Sequence, residues 1–262
     1  MPTLDQFVTE GACTWEAQTV FPSITLPAHT SMLTGVLPAK HQIMWNSYKP
    51  QEGSVKVPTV FALAKQAGYS TAMFVGKEKF KHLLQPGTVD EFNYNRSVSG
   101  EETKLMVGSS KPVKEDTVLT KHVAASAAAY IAAKPPNLCF IHFTDSDSTG
   151  HKYGWGSPEQ IKAFADEDAG LEVVLQAIRK AGLAESSVVI VTADHGGHAK
   201  THGANSPDDM TIPWVIWGKG VKKHFTITAP VMTCDTTATA LWLLDVSCPD
   251  DLDGKPVTSA FN

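Results

Sequence analysis

Residues 187–192, Ser-Val-Val-Ile-Val-Thr, show no alternation of apolar and polar side chains. A strand of this kind is apolar on both faces and has to be covered on both. That is the situation of a strand inside a parallel sheet with helices above and below. Residues 138–143, Leu-Cys-Phe-Ile-His-Phe, repeat the pattern, as do 71–75 and 212–217. Helical patterns fill the intervals. Residues 4–10 end at Gly11, 26–34 close at Gly35 in a place suited to a left-handed cap, and 57–67 end at Gly68. An Ala-rich helix over 116–133 is stopped by Pro135 and Pro136, an amphipathic one over 158–181 ends at Gly182, and 236–244 closes the chain. Strands alternating with helices predict an α/β fold, a three-layer αβα sandwich with a mainly parallel central sheet. All of 1–262 reads as one domain, with the polar, aperiodic stretch at about 77–114 as a cap-like insertion.

In such sheets ligands bind beyond the carboxyl ends of the strands. Two strand ends carry metal-ligand types. After 138–143 come Asp145, Asp147, Gly150 and His151; after 187–192 come Asp194, His195, Gly196, Gly197 and His198, then His202 and Gly203. Carboxylate and imidazole suit zinc and similar divalent ions. Asp194 and His195 are neighbours, so a glycine-loosened turn is needed to bring both into one site; on a straight strand they would face apart. His198 reads as an exposed loop residue with a supporting role open to it. His29, His41, His82, His122, His142 and His224 stand without such company and read as structural or surface histidines. Asp145 reads as a hydrogen-bonding loop residue, and Asp166 and Asp168 as part of an exposed helix face. Trp45, Tyr153 and Trp155 adjoin these loops, and packing competes with stacking on a ligand as their role.

Thr25 stands where a helix starts, with Pro27 in its first turn. That is an ordinary helix N-terminus, and it is also a ready anion site. A hydroxyl there beside a metal can serve as a nucleophile.

The net charge of -5 argues against polymeric nucleic acid as a partner, since backbone binding wants a basic face. A small phosphate ester or nucleotide is compatible with it, because bound metal reverses the local field. No signal peptide and no membrane span is visible. The compartment stays open, an extracytoplasmic one included if a segment precedes the chain. Of the four cysteines, Cys139 reads as a buried thiol, and Cys234 and Cys248 flank a helix and are candidates for pairing.

Together these residues resemble the alkaline phosphatase superfamily, and within it the nucleotide pyrophosphatase/phosphodiesterase branch. The Thr-x-Pro-x-His segment of that branch is similar to Thr25-Leu26-Pro27-Ala28-His29, followed by Thr34-Gly35 and Pro38-Ala39-Lys40-His41-Gln42, where Gln42 replaces the usual glycine. Its phosphate-binding asparagine corresponds to Asn46. Its Pro-Asp-x-x-Gly-His loop resembles Ser146-Asp147-Ser148-Thr149-Gly150-His151, its Asp-His-Gly turn Asp194-His195-Gly196, and its later His-Gly His202-Gly203. The likeness extends to Asp253-Gly254-Lys255-Pro256.

The resemblance implies two divalent metal ions, zinc by type, about 4 Å apart. Asp147, His151 and His202 would bind one, and Thr25, Asp194 and His195 the other. Asn46 and the backbone N–H after Thr25 would hold a phosphoryl oxygen. The implied activity is phosphodiester or nucleotide pyrophosphate hydrolysis through a phospho-threonine on Thr25. A phosphonoacetate hydrolase is the alternative among enzymes. The family begins with a strand ending in Asp-Gly whose Asp is a metal ligand, and Met1–Phe7 resembles the helix start after that strand. The expectation is therefore an N-terminally shortened form that binds the nucleophile's metal weakly. A non-catalytic binding domain is the second alternative.

Overall fold

The computed structural model describes residues 1–94 and 117–262. Helix α1 is Pro2–Glu10, followed by strand β1, Ala12–Gln18, then α2, Thr25–Thr34, and the single turn α3, Pro38–His41. Helix α4, Val60–Gln66, leads to β2, Thr71–Val75, and β3, Glu91–Asn93. Next come α5, Thr120–Ala133, β4, Leu138–His142, α6, Asp145–Tyr153, and α7, Pro158–Lys180. Strand β5, Val188–Thr192, the turn α8, Pro207–Met210, β6, Thr211–Gly218, β7, Phe225–Thr226, and α9, Asp235–Leu243, complete the order.

The strands form two sheets. One is wholly parallel, in the order β3-β2-β4. The other runs β5-β6-β1-β7, with β6 antiparallel to both β5 and β1, and β7 parallel to β1. The unalternating strands now have their explanation. On β2, Met73 and Val75 pack with Leu26, Leu33, Phe61 and Leu241 of α2, α4 and α9. Ala72 and Phe74 face the other way, onto Val123, Ala127 and Ile131 of α5 and Val174 and Ala177 of α7. The fold is thus α/β, with helices on both sides of its parallel strands. β4 and β5 are the end strands of their sheets, and both stay half-buried although apolar. Helix α7 spans both: Val174 and Ala177 pack toward β4, and Leu171 and Leu175 toward β5. Their carboxyl ends therefore open on one place.

Several sequence expectations change in the structure. Strand β1 was not visible as one, because its two alanines and Glu16 carry a weak β signal and a bulge between Thr14 and Ala17 breaks its alternation. The stretch expected to be a cap starts as part of the sheet layer: Phe80 and Leu83 are fully buried and β3 pairs with β2. Its remainder, 95–114, lies outside the described residues. All four cysteines are free thiols, so Cys234 and Cys248 are not bridged. Gly35 does adopt the left-handed cap, at φ 71, and Gln42 is also left-handed, at φ 60. That is the position where the resembling family has glycine, and a side chain there carries some strain.

Asp168 is the clearest reversal. Asp166 lies on the solvent face and pairs with Lys162, but Asp168 is 6% exposed and accepts from the backbone N–H groups of Thr3 and Leu4 at 3.1 and 2.8 Å. These are first-turn donors of α1 that no local side chain caps. Asp168→Ala should cost about 1–2 kcal/mol, the usual worth of a lost cap, and lower the melting temperature by a few degrees. A melting temperature equal to wild type would show that α1 does not depend on this carboxylate.

Candidate functional site

Asp147 and His151 do not sit on a turn after β4, as the sequence suggested. They sit on α6, one turn apart, and so share a face. Gly150 is there for space: a Cβ would stand 3.0 Å from the Trp155 ring and 2.7 Å from the Gln160 amide. Asp145 and Asp147 in the first turn suit the positive end of the helix. Asp145 also accepts from the Thr120 N–H, fixing the start of α5. Ser146 N–H donates to Glu167 of α7 at 2.9 Å, and burial pushes that carboxyl up to about 7.

Across from α6, the chain after β5 delivers Asp194, His195 and His202. Gly197 carries no side chain because the Trp155 ring lies where a Cβ would be, at 2.1 Å. That ring also meets His151 and His202 edge-on, at 5.1 and 5.8 Å between centroids, so packing is the role the structure gives it. His198 is staple rather than ligand: its Nδ1 lies 2.7 Å from Asp209, whose other oxygen accepts from the Ala204 N–H. Together they shape the loop that presents His202.

The three central histidines share one arrangement. Nδ1 of His151 faces the Lys200 carbonyl at 3.0 Å, that of His202 the Ser23 carbonyl at 2.9 Å, and that of His195 the Gly196 carbonyl at 2.8 Å. A carbonyl only accepts, so each Nδ1 carries the hydrogen and each Nε2 presents a lone pair to the centre. There they surround Asp147 Oδ1 at 3.5 Å (His151), 3.6 Å (His202) and 4.0 Å (His195). Ligand atoms of Asp147, His195 and His202 all lie within 4.8 Å of one another. Asp147 Oδ1 and His195 Nε2 are buried without a hydrogen-bond partner, and the Nε2 atoms of His151 and His202 stand 3.1 Å apart. Buried orphan acceptors and opposed lone pairs are costly, and a cation among them removes both costs. The donor set fits zinc or a similar divalent ion.

The charges are held in place from behind. Burial works to raise the Asp194 carboxyl, but the His29 Nδ1 beside it at 3.2 Å and the charge of Lys77 hold it well below the usual range. Burial also opposes ionisation of Asp147, and Lys77, whose Nζ is 2.6 Å from Oδ2, overrides it and keeps that carboxylate low. Burial lowers His202 to about 4. His195 lies between Asp147 and Asp194 and so touches both halves of the expected ligand set.

Thr25 begins α2 and is 2% exposed. It lines a cavity of about 390 Å³ together with Asn46, Lys77, Lys79, Asp147, His151 and His202. Asn46 Oδ1 accepts from the Leu26 N–H at 3.0 Å and from Lys79 at 3.1 Å. The structure thus brings the seven singled-out residues to one region: five line one cavity, His195 touches Asp147 and His202 of its lining, and Asp194 joins through His195 and His29. It adds three that sequence reasoning missed. His29 is not merely structural, since its Nδ1 bridges the Thr25 carbonyl and Asp194. Lys77 and Lys79 follow the carboxyl end of β2, and the rule that flagged the other two strand ends would have flagged this one.

Residues 1–206 match the family described as type I phosphodiesterase / nucleotide pyrophosphatase. Human ectonucleotide pyrophosphatase/phosphodiesterase family member 7 is 24% identical over 203 residues, covering 74% of this chain and 43% of that protein. GPI ethanolamine phosphate transferase 1 of Emericella nidulans is 30% identical over 146 residues, covering 54% and 16%. The chain spans less than half the length of these curated relatives. Among solved structures, murine ectonucleotide pyrophosphatase / phosphodiesterase 5, an inactive variant in complex with AMP, superposes with a TM-score of 0.76 at 16% identity, covering 100% of this chain and 94% of that one. A 2-O GAG sulfatase gives 0.72 at 15%, covering 98% and 68%. At these identities the superpositions establish the fold.

Three buried histidines set an acid limit on this assembly. Burial lowers His41 and His202 to about 4 and His142 well below its ordinary value. His41 must be neutral, because its Nδ1 accepts from the Ile43 N–H. The unfolded chain takes up these protons near pH 6.5, so stability is full above that and is lost as pH falls through it toward 4. Denaturant unfolding of metal-free protein should show a loss between about pH 7 and about pH 4.5, smaller by on the order of 2 kcal/mol in His41→Asn. Equal losses in the two proteins would contradict the assignment of a neutral His41.

Proposed function

The chain belongs to the type I phosphodiesterase / nucleotide pyrophosphatase family, and on that premise we propose that it hydrolyses phosphate diesters or nucleotide pyrophosphates with Thr25 as nucleophile. The observation that carries the reading is the shared cavity: the one hydroxyl placed at the N-terminus of α2 opens on the same space as Asp147, His151 and His202. Asp147, His151 and His202 would hold one divalent ion, and Asp194, His195 and Thr25 a second, with zinc favoured by the donors. When bound, such ions supply Lewis-acid stabilisation of phosphoryl charge and ease ionisation of a hydroxyl.

This chain's residues do the rest. The start of α2 contributes its positive end, but not the backbone N–H after Thr25: the Leu26 N–H is taken by Asn46 Oδ1, Pro27 has none, and the Ala28 N–H bonds to the Ile24 carbonyl. Asn46 Oδ1 is engaged by Leu26 and Lys79, so its amide NH2 is the part left to donate to a substrate oxygen. Thr25 Oγ gives up its proton to solvent and attacks phosphorus as the bond to the leaving-group oxygen breaks, and the leaving group departs with that electron pair. Water then cleaves the Oγ–P bond and restores the hydroxyl. His29, on the Thr25 carbonyl and Asp194, holds the nucleophile's residue against the metal-ligand loop.

The relatives named as ethanolamine phosphate transferases favour a second reading, in which the same phospho-threonine passes its group to an alcohol. Product analysis with an amino alcohol in excess separates the two, since only a transferase yields the new diester.

Thr25→Ala should reduce hydrolysis of bis-p-nitrophenyl phosphate by several orders of magnitude even at saturating zinc, with the ion of Asp147, His151 and His202 retained. Full activity in that variant would remove Thr25 from the chemistry.

A further inference from the structure

We infer that Glu167 is a positioning residue for the metal-ligand helix: together with Gln160 it holds the first turn of α6 from α7, and so sets where Asp147 stands among the histidines. The inference rests on the cation reading of the Asp147 cluster and not on the chemistry of Thr25. Neither α7 side chain is itself among the proposed ligands.

Helix α6 has little of its own to stand on. Its nine residues, Asp-Ser-Asp-Ser-Thr-Gly-His-Lys-Tyr, include two serines, a threonine and a glycine, all poor helix formers, and a helix of that length is marginal alone. Its N-cap residue, Thr144, makes no side-chain capping bond. The missing cap comes from another element. Ser146 N–H donates to Glu167 Oε1 at 2.9 Å, and Gln160 Nε2 donates to the Ser146 carbonyl at 3.1 Å. Both backbone groups of the residue before Asp147 thus end on side chains of α7. Gln160 is fixed in turn: it is 2% exposed, and its Oε1 accepts from the Gly156 N–H at 2.7 Å.

A carboxyl group is a costly choice for this place. Burial pushes Glu167 up to about 7 against the bonds from Ser146, and Asp145 of α6 adds a like charge. Asp166, on α7 itself, bears on Asp145 in turn. Lys121 and His122 of α5, Asp168 of α7 and Asp5 of α1 are not among the groups that move it. A glutamine would accept the same bond without burying a charge. The carboxylate does what an amide cannot. Once ionised, it bonds an N–H about twice as strongly as a neutral acceptor and complements the positive end of α6. The hold on α6 therefore tightens as pH rises through about 7. Asp147 Oδ1 meets the Nε2 atoms of His195 and His202, which arrive on the separate chain after β5. A slack first turn of α6 would shift that oxygen against the nitrogens with which it must share a cation.

The test uses the whole chain as wild type, Glu167→Gln and Gln160→Ala. Glutamine at 167 keeps an acceptor for Ser146 and removes the charge. In metal-free, isotope-labelled protein the NMR shift of the Ser146 amide should titrate with a midpoint of about 7 in the wild type and lose that step in Glu167→Gln. Zinc affinity, measured by competition with a chelator, should be equal in these two proteins at about pH 6 and weaker by about fivefold or more in Glu167→Gln at about pH 8.5. Comparing them at one pH cancels the titration of the histidines, which they share. Gln160→Ala loosens the same residue without removing a titrating group, so it should weaken zinc by a similar factor at both pH values. A zinc-affinity ratio between Glu167→Gln and wild type that does not change with pH would overturn the inference. If wild type binds no zinc, the cation reading fails on its own, and a Ser146 amide without its step would still show that Glu167 does not hold α6. Melting curves identify a variant that has lost its fold. Should that be Glu167→Gln, a flat wild-type amide or an unchanged zinc affinity in Gln160→Ala would overturn the inference in its place.

Discussion

Everything functional in this chain depends on a carboxylate oxygen being surrounded by imidazole nitrogens that cannot bond to it. Asp147 Oδ1 is buried, and the Nε2 atoms of His151, His195 and His202 reach to within 4.0 Å of it with lone pairs, not hydrogens. Backbone carbonyls of Lys200, Gly196 and Ser23 enforce this by occupying the three Nδ1 hydrogens. The arrangement is expensive for an empty pocket and natural for one built around a cation. The fold bears that expense by mounting the donors on rigid supports: helix α6 on one side, and on the other the chain after β5, clamped by Trp155, Asp209 and the Ser23 carbonyl.

Charge around this centre is layered. Lys77 faces the second oxygen of Asp147, and His29 faces Asp194, so each carboxylate has a cation-capable group behind it and the histidine cluster in front. The same loop that delivers Lys77 delivers Lys79 to Asn46, which ties the Asn46 amide to the strand end of β2. Three strand ends therefore meet at the cavity, and helix α2 packs against the 3-10 turn that carries the lysines, through Phe80 and His29 at 4.7 Å between ring centroids.

Much of this was legible in the sequence, and the reasons are specific. Thr71–Val75 reads as a buried strand because both its faces are covered, and the structure gives it the same bounds. Gly35 reads as a left-handed cap because no side chain fits easily there. The clusters after 138–143 and 187–192 stood out because histidine and aspartate are rare company for apolar strand ends. What failed to show was whatever depends on distant partners. Strand β1 is set by its pairing with β6, not by its own residues. Asp168 looks like any helix-surface acid until Thr3 and Leu4 arrive from 165 and 164 positions away. The helical form of 145–153 was hidden by a glycine whose purpose is to admit Trp155. Lys77 and Lys79 sat in a polar stretch with no period, and only the burial of Phe80 and Leu83 shows that stretch to be fixed.

The central claim is a divalent cation held among Asp147, His151, His195 and His202. Anomalous scattering at the zinc edge from zinc-soaked crystals tests it most directly. The account predicts a strong peak coordinated by Asp147 and by Nε2 atoms of these histidines, at about 2.0–2.2 Å from its ligands. Crystals that carry zinc only at other surfaces, with Asp147 Oδ1 still unliganded, would contradict it.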